Sequence, residues 1–203
     1  EFVEMFLDEA RLSAQLHHPH IPQVLDVGLA EGRYFLSIEL IEGVSSSQLL
    51  KACRKAGAML PLPVVRLCAQ GLCDALEYAH ELRDADGRLL QVVHRDVSPS
   101  NLLLSAAGRV LLNDFGIARA LGRSHSTRTG EVKGKFAYMS PEQLAGSASV
   151  DRRADVYSAG LTIYELATLD SPYLRDTEPA TIDAVRTGSL PHAYHARADI
   201  PAA

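Results

Sequence analysis

The chain has 203 residues, 47% hydrophobic and 22% charged, with 25 acidic against 20 basic side chains and a formal net charge of −5. This is the composition of a globular domain with a real core, and it excludes a disordered chain and a basic nucleic-acid-binding surface. No run of 18 apolar residues occurs, so no membrane span is expected within these residues.

The first residue is Glu1, with neither an initiator methionine nor a signal peptide, and the chain reads as a fragment of a longer one. Cys53, Cys68 and Cys73 are odd in number and lie in helix-patterned segments, so packed, reduced thiols and a reducing, cytoplasmic compartment are expected.

In chain order, Phe2, Met5, Phe6, Leu12 and Leu16 have helical spacing, and Pro19 and Pro22 forbid continuation of that helix. The runs QVLDVGL and RYFLSIELI, separated by Ala30-Glu31-Gly32, predict a β-hairpin. Gly43 and serines 45 to 47 follow as a break ending in a helix cap. From Pro63 to His80, Val64, Val65, Cys68, Leu72, Ala75, Leu76 and Ala79 form the stripe of a long core helix.

After the turn RDADGR comes VVHRDVSPSNLLL, residues 92–104. Two short apolar runs, Leu102 to Leu104 and Val110 to Leu112, are joined by Ser105-Ala106-Ala107-Gly108 and predict a second hairpin. Antiparallel pairing brings Asn101 and Asn113-Asp114 together at its open end, so two oxygen ligands converge on one spot. Residues 117–139, with Gly122, Gly130 and Gly134, read as a long functional loop rather than a core element. A second core helix is expected from Ala154 to Leu169, a further helical stretch from Pro179 to Arg186, and a loose tail after it.

Four signals stand in order: HRDVSPSN at 94–101, DFG at 114–116, SPE at 140–142 and DVYSAG at 155–160. With this spacing the chain resembles the protein kinase family, in particular the eukaryotic-like serine/threonine kinases of bacteria, over nearly its whole length. The resemblance implies an α+β, bilobal fold, with residues 1–42 as a partial N-lobe and 43–203 as a partial C-lobe. It also implies ATP and Mg²⁺ as cofactors and a protein substrate. Phosphoryl transfer needs Mg²⁺ on hard oxygen ligands and a carboxylate that orients the incoming hydroxyl and accepts its proton. By resemblance Asp96 is the catalytic base, and Asn101 and Asp114 are the metal ligands.

Further roles carry over by position. Glu9 matches the helix glutamate that pairs with the ATP-binding lysine, Ile38 the gatekeeper, the backbone from Glu39 to Ile41 the adenine hinge, and Leu103 the pocket floor. Asp155 matches the helix aspartate that anchors the catalytic loop, and His94 and Phe115 match members of the internal hydrophobic spine. Arg95 matches the arginine that binds an activation-loop phosphate, with Thr127, Thr129, Ser124 and Ser126 as candidate autophosphorylation sites. His17, His18 and His20 occupy a structural turn in this resemblance rather than a metal site.

Three departures qualify it. The chain contains no G-x-G-x-x-G loop and no V-A-x-K lysine, and it ends before the helices that pair with Glu142. The isolated fragment is therefore expected to bind ATP poorly and not to turn over. Second, Ser98 stands where the family has a catalytic-loop lysine. Third, GKFAYM at 134–139 puts Lys135 where the family has a threonine. Those two family side chains touch each other and the catalytic aspartate, so Lys135 is expected to bring its ammonium to the place vacated at Ser98. The alternative to an active serine/threonine kinase is a pseudokinase or binding module. A small-molecule phosphotransferase of kinase-like fold is a more distant one.

Overall fold

The helical spacing at the start of the chain folds into α1 (Phe2–Ala14), which buries Ala10 and Ser13. The computed structural model describes residues 2–115, 134–147, 150–188 and 190–200. β1 (Val24–Ala30) and β2 (Arg33–Ile38) form the first hairpin, pairing antiparallel around Glu31 and Gly32, both at positive φ (50° and 74°). Two successive left-handed residues match the twist of a tight hairpin, and glycine adopts one of them without strain. β2 ends at Ile38, short of the expected run to Ile41, although Glu39 still donates its amide to Gln23 O at 2.8 Å.

The expected break at residues 43 to 47 is instead partly strand. β3 (Gly43–Ser45) pairs with β4 (Leu102–Ser105), which pairs with β5 (Val110–Leu112), giving a three-stranded antiparallel sheet in the order β3-β4-β5. A Cβ at position 43 would lie 2.1 Å from Leu104 O, so the close strand approach admits only glycine there. The residue that looked like a breaker is what allows the pairing.

α2 (Ser46–Ala56) starts at a Ser45/Gln48 capping box and stops at Gly57 in the left-handed conformation. α3 (Leu62–His80) carries the apolar stripe as expected and packs against β5 and α5 (Arg152–Thr168). α5 is buried on most of its circumference, with Ala154, Ser158, Leu161, Thr162 and Leu166 inward. Its hydroxyls are satisfied by carbonyls one turn back, as in Thr162 Oγ1 to Ser158 O at 2.9 Å. The main core joins Leu16, Leu50, Leu72, Leu102, Leu112 and Leu166. This α+β arrangement is the one the sequence implied.

Three expectations need correction. The stretch before SPE is not wholly loop: Ala137 is buried with Leu161, Tyr173 and Val185 in a second apolar cluster, ahead of α4 (Pro141–Leu144). Beyond α6 (Glu178–Thr187) the tail is docked, because α7 (Ala193–Ala196) leads to Arg197, whose guanidinium donates to Leu60 O at 2.5 Å and Ala167 O at 3.2 Å. Among the cysteines only Cys68 is fully packed, while Cys73 is exposed on the outer face of α3. Among the described residues no helix is long and apolar enough to cross a membrane.

Candidate active site

The catalytic-loop backbone is hung from one buried carboxylate. Asp155, in the first turn of α5 and with no solvent exposure, accepts the His94 amide on Oδ2 at 2.8 Å and the Arg95 amide on Oδ1 at 2.7 Å. His80, at the end of α3, donates its Nε2–H to the same Oδ2 at 2.8 Å. Arg95 is held at φ +66° between these contacts and the Gln143 side chain, which donates to Arg95 O at 2.8 Å. A left-handed backbone costs a non-glycine residue about 1–2 kcal/mol, so it persists only where neighbours over-determine it. His80 and Gln143 escaped the sequence reading. A histidine closing an otherwise apolar helix stripe was the available signal for the first.

Asp96 follows this anchored pair. Its Oδ2 accepts from Asn101 Nδ2 at 3.0 Å and from Lys135 Nζ at 2.5 Å, and Asn101 Nδ2 also reaches Asp96 O at 2.7 Å. Lys135 thus stands on Asp96, where the sequence expected it. Ser98, in contrast, is buried, and its Oγ has no hydrogen-bond partner among the described residues.

The β4–β5 hairpin brings Asn113 beside Asn101, with a 2.8 Å bond from Asn113 N to Asn101 O. Asp114 follows at φ +63°, and burial pushes its carboxyl above the usual range. Asp96 reinforces that shift, while His94 and Lys135 oppose it. A buried carboxylate next to a second carboxylate is a site that a cation relieves. Asn101 turns its amide nitrogen to Asp96, which leaves its carbonyl oxygen for such an ion. The donor set is all oxygen, so these residues fit Mg²⁺.

The remaining candidates are distributed around this centre. Ile38 lines a small cavity with Ser13, Leu36, Leu112, Asp114 and Phe115, and so flanks the DFG turn. Glu39 lies just past β2, where its carboxylate accepts from Arg109 at 2.9 Å. Ile41 is half-buried between β2 and β3, and Leu103 sits in β4 opposite Leu111. Glu9 lies in α1, but its side chain is outside the described ones, as are Gly116, Ser124, Ser126, Thr127 and Thr129 altogether. Arg95 borders a cleft of about 770 Å³ that Arg152 and Arg153 also line. Phe115 meets His94 edge-on with ring centroids 4.6 Å apart. His20 Nδ1 donates to Val110 O at 2.6 Å, and the His18 ring stacks on Tyr78 with centroids 4.9 Å apart.

A family model described as the protein kinase domain matches residues 2–198. Tyrosine-protein kinase MasK of Myxococcus xanthus is 44% identical over 201 residues, covering 99% of this chain and 31% of that protein. Serine/threonine-protein kinase PknJ of Mycobacterium tuberculosis is 39% identical over 177 residues, and PrkC of Bacillus subtilis is 31% identical over 203. These alignments cover 85% and 100% of this chain and 28% of each of those two proteins. The chain therefore spans under a third of the length of these curated relatives. The solved kinase domain of Mycobacterium tuberculosis PknI superposes with a TM-score of 0.67 at 30% identity, over 98% of this chain and 66% of that one. The chain belongs to the protein kinase domain family, of the eukaryotic-like type found in bacteria.

Proposed function

We propose that the protein containing this chain transfers the γ-phosphoryl group of ATP to a serine or threonine hydroxyl of a protein substrate, itself included. Asp96 orients the hydroxyl and takes its proton as the new O–P bond forms and the bond from Pγ to the bridging oxygen of ADP breaks. Asn101 and Asp114 hold Mg²⁺, which neutralises charge on the phosphates when bound. Lys135 supplies from the activation segment the ammonium that Ser98 cannot. Residues 1–42 contribute the N-lobe side of the cleft, with the backbone from Glu39 to Ile41 facing adenine, Ile38 and Leu103 bounding its pocket, and Glu9 on α1. Residues 43–203 contribute the catalytic loop, and Arg95 receives an activation-loop phosphate at Thr127, Thr129, Ser124 or Ser126.

The single observation that supports this reading is the convergence of Asn101 and Lys135 on Asp96 Oδ2, at 3.0 and 2.5 Å. One carboxylate oxygen is thereby occupied by donors, and the other, with no donor on it among the described residues, is left to meet an incoming hydroxyl. A second reading, transfer to tyrosine, is supported by the name of the 44% identical relative, a tyrosine-protein kinase.

One experiment separates these readings: γ-³²P transfer by the full-length protein, beside Asp96→Asn, to peptides identical except for serine, threonine or tyrosine at the acceptor. Label on serine or threonine that Asp96→Asn abolishes supports the first. Label confined to tyrosine replaces it with the second. No transfer to any acceptor makes the protein a binding module.

A further inference from the structure

We propose that Ser46 is a positioning residue for Asn101, acting through the carbonyl of Pro99. The inference rests on the reading of Asn101 as a metal ligand. Three serines open α2, and each bonds differently. Ser45 caps the helix, its side chain accepting the Gln48 amide. The Ser47 amide, one of the donors that a helix start leaves without an intrahelical partner, goes to Pro99 O at 2.9 Å. Ser46 has no solvent exposure, and its hydroxyl donates to the same Pro99 O at 2.8 Å, between residues 53 positions apart in the chain. Pro99 is itself buried, so its carbonyl depends on these two donors rather than on water.

Pro99 is the second residue of the turn that presents Asn101. The backbone amide of Asn101 donates to Ser98 O at 3.1 Å, which closes a β-turn over residues 98–101 with proline at the position where its fixed φ is favoured. The end of that turn is held by its neighbours: Asn101 O accepts from Asn113 N at 2.8 Å, and Asn101 Nδ2 donates to Asp96 O at 2.7 Å and to Asp96 Oδ2 at 3.0 Å. The Ser98 side chain adds nothing at its start, because that buried hydroxyl has no partner among the described residues. The middle of the turn is held from outside the loop, by Ser46 and Ser47 on Pro99 O. The Ser47 bond comes from the backbone and survives a change of side chain, so the Ser46 hydroxyl is the half of this clamp that the sequence specifies. Without it Pro99 O keeps one donor, the peptide plane between Pro99 and Ser100 gains freedom to tilt, and the Asn101 side-chain oxygen loses part of its aim. Ser46 does this without any contact with the metal.

The test uses the full-length protein and reads metal binding rather than turnover. Mn²⁺, which accepts the same oxygen ligands as Mg²⁺, is titrated in the presence of ADP, with free Mn²⁺ followed by its electron paramagnetic resonance signal. Loss of one of the two donors on Pro99 O is expected to weaken Mn²⁺ binding about fivefold in Ser46→Ala. Ser46→Cys, a weaker donor of similar size, should resemble Ser46→Ala and serves if that variant does not fold. Thr162→Val removes an equally buried hydroxyl, the one on Ser158 O within α5, and controls for general destabilisation: its Mn²⁺ binding should stay within about twofold of wild type. Asn101→Ala is the site control. If Asn101→Ala loses Mn²⁺ while folded Ser46→Ala and Ser46→Cys bind it like wild type, or no more weakly than Thr162→Val, the positioning role is overturned and the metal-ligand reading stands. If Asn101→Ala itself binds like wild type, both are overturned.

Discussion

Lys135 and Asp96, 39 residues apart in sequence, form an ion pair of 2.5 Å at the centre of the site. The cation at the carboxylate proposed as the base is thus carried by the segment that precedes SPE and not by the HRD loop, where Ser98 is buried and, among the described residues, unpaired. Removal of a preorganised donor to a developing anion typically costs on the order of 10²-fold in rate. Lys135→Thr is therefore expected to lower kcat about 10²-fold with a smaller change in KM for ATP. Ser98→Lys alone crowds two ammonium groups against one carboxylate and also lowers activity. The double variant, which moves the cation back into the loop, should recover most of the loss. Steady-state kinetics of all four proteins form a double-mutant cycle. Additive losses would show that the two positions do not share a role.

Asp155 accepts three donors in a fully buried position: the amides of His94 and Arg95 and the His80 imidazole. Its replacement by alanine leaves all three without a partner, a loss of roughly 3 kcal/mol or more. Asp155→Asn keeps the volume and one acceptor oxygen and should lose less. Urea unfolding checks the order. Asp155→Ala unfolding at the wild-type midpoint would mean the loop is held by other contacts.

Much of this was legible in the sequence because local and global signals agree. The stripe on α3 has one helical period, and the hairpin that brings Asn101 to Asn113 is a short-range turn with a glycine at its αL position, Gly108 at φ +80°. What stayed hidden is long-range. Gly43 looked like a breaker because its partner strand lies some sixty residues away, and only the carbonyl of Leu104 explains the glycine. Ser13 on α1 gave no periodic signal, since what buries its hydroxyl is a hydrogen bond to the carbonyl of Phe115, 102 positions away. α5 has no single apolar face because it is enclosed on most sides, so its boundaries were readable but its inward hydroxyls were not.

His18 gives the pH dependence a definite sign. Burial holds its imidazole below the ordinary value of 6.5, His20 lowers it further, and Asp74 partly opposes them. The folded state thus prefers neutral His18, and its Nδ1 accepts the His20 amide at 3.3 Å. A base with a depressed folded pKa contributes its stability above the unfolded pKa and loses it as pH falls from about 6.5 toward the folded value. Between pH 7 and pH 5 wild type should therefore lose more thermal stability than His18→Gln, which cannot charge. Parallel melting-temperature curves for the two proteins across that window would remove His18 from the account.

Arg197 ties the last described segment to the core. Its guanidinium donates to Leu60 O, just ahead of α3, and to Ala167 O near the end of α5, and it also pairs with Asp199. Leu60 and Ala167 are both buried, at 4% and 7% exposure, so the arginine supplies donors to carbonyls in poorly hydrated surroundings. Asp199 is on the solvent-exposed side of its pair with Arg197, where water screens it, and it contributes little by comparison. Arg197→Ala should therefore destabilise the protein by about 1–2 kcal/mol, mostly through the stranded carbonyls, whereas Asp199→Ala should leave stability close to wild type. Arg197→Lys, which reaches one carbonyl but cannot bridge two, should fall between them. Denaturant melts of the three variants decide the point. Equal effects of Arg197→Ala and Asp199→Ala would assign the docking to the surface ion pair and not to the bridged carbonyls.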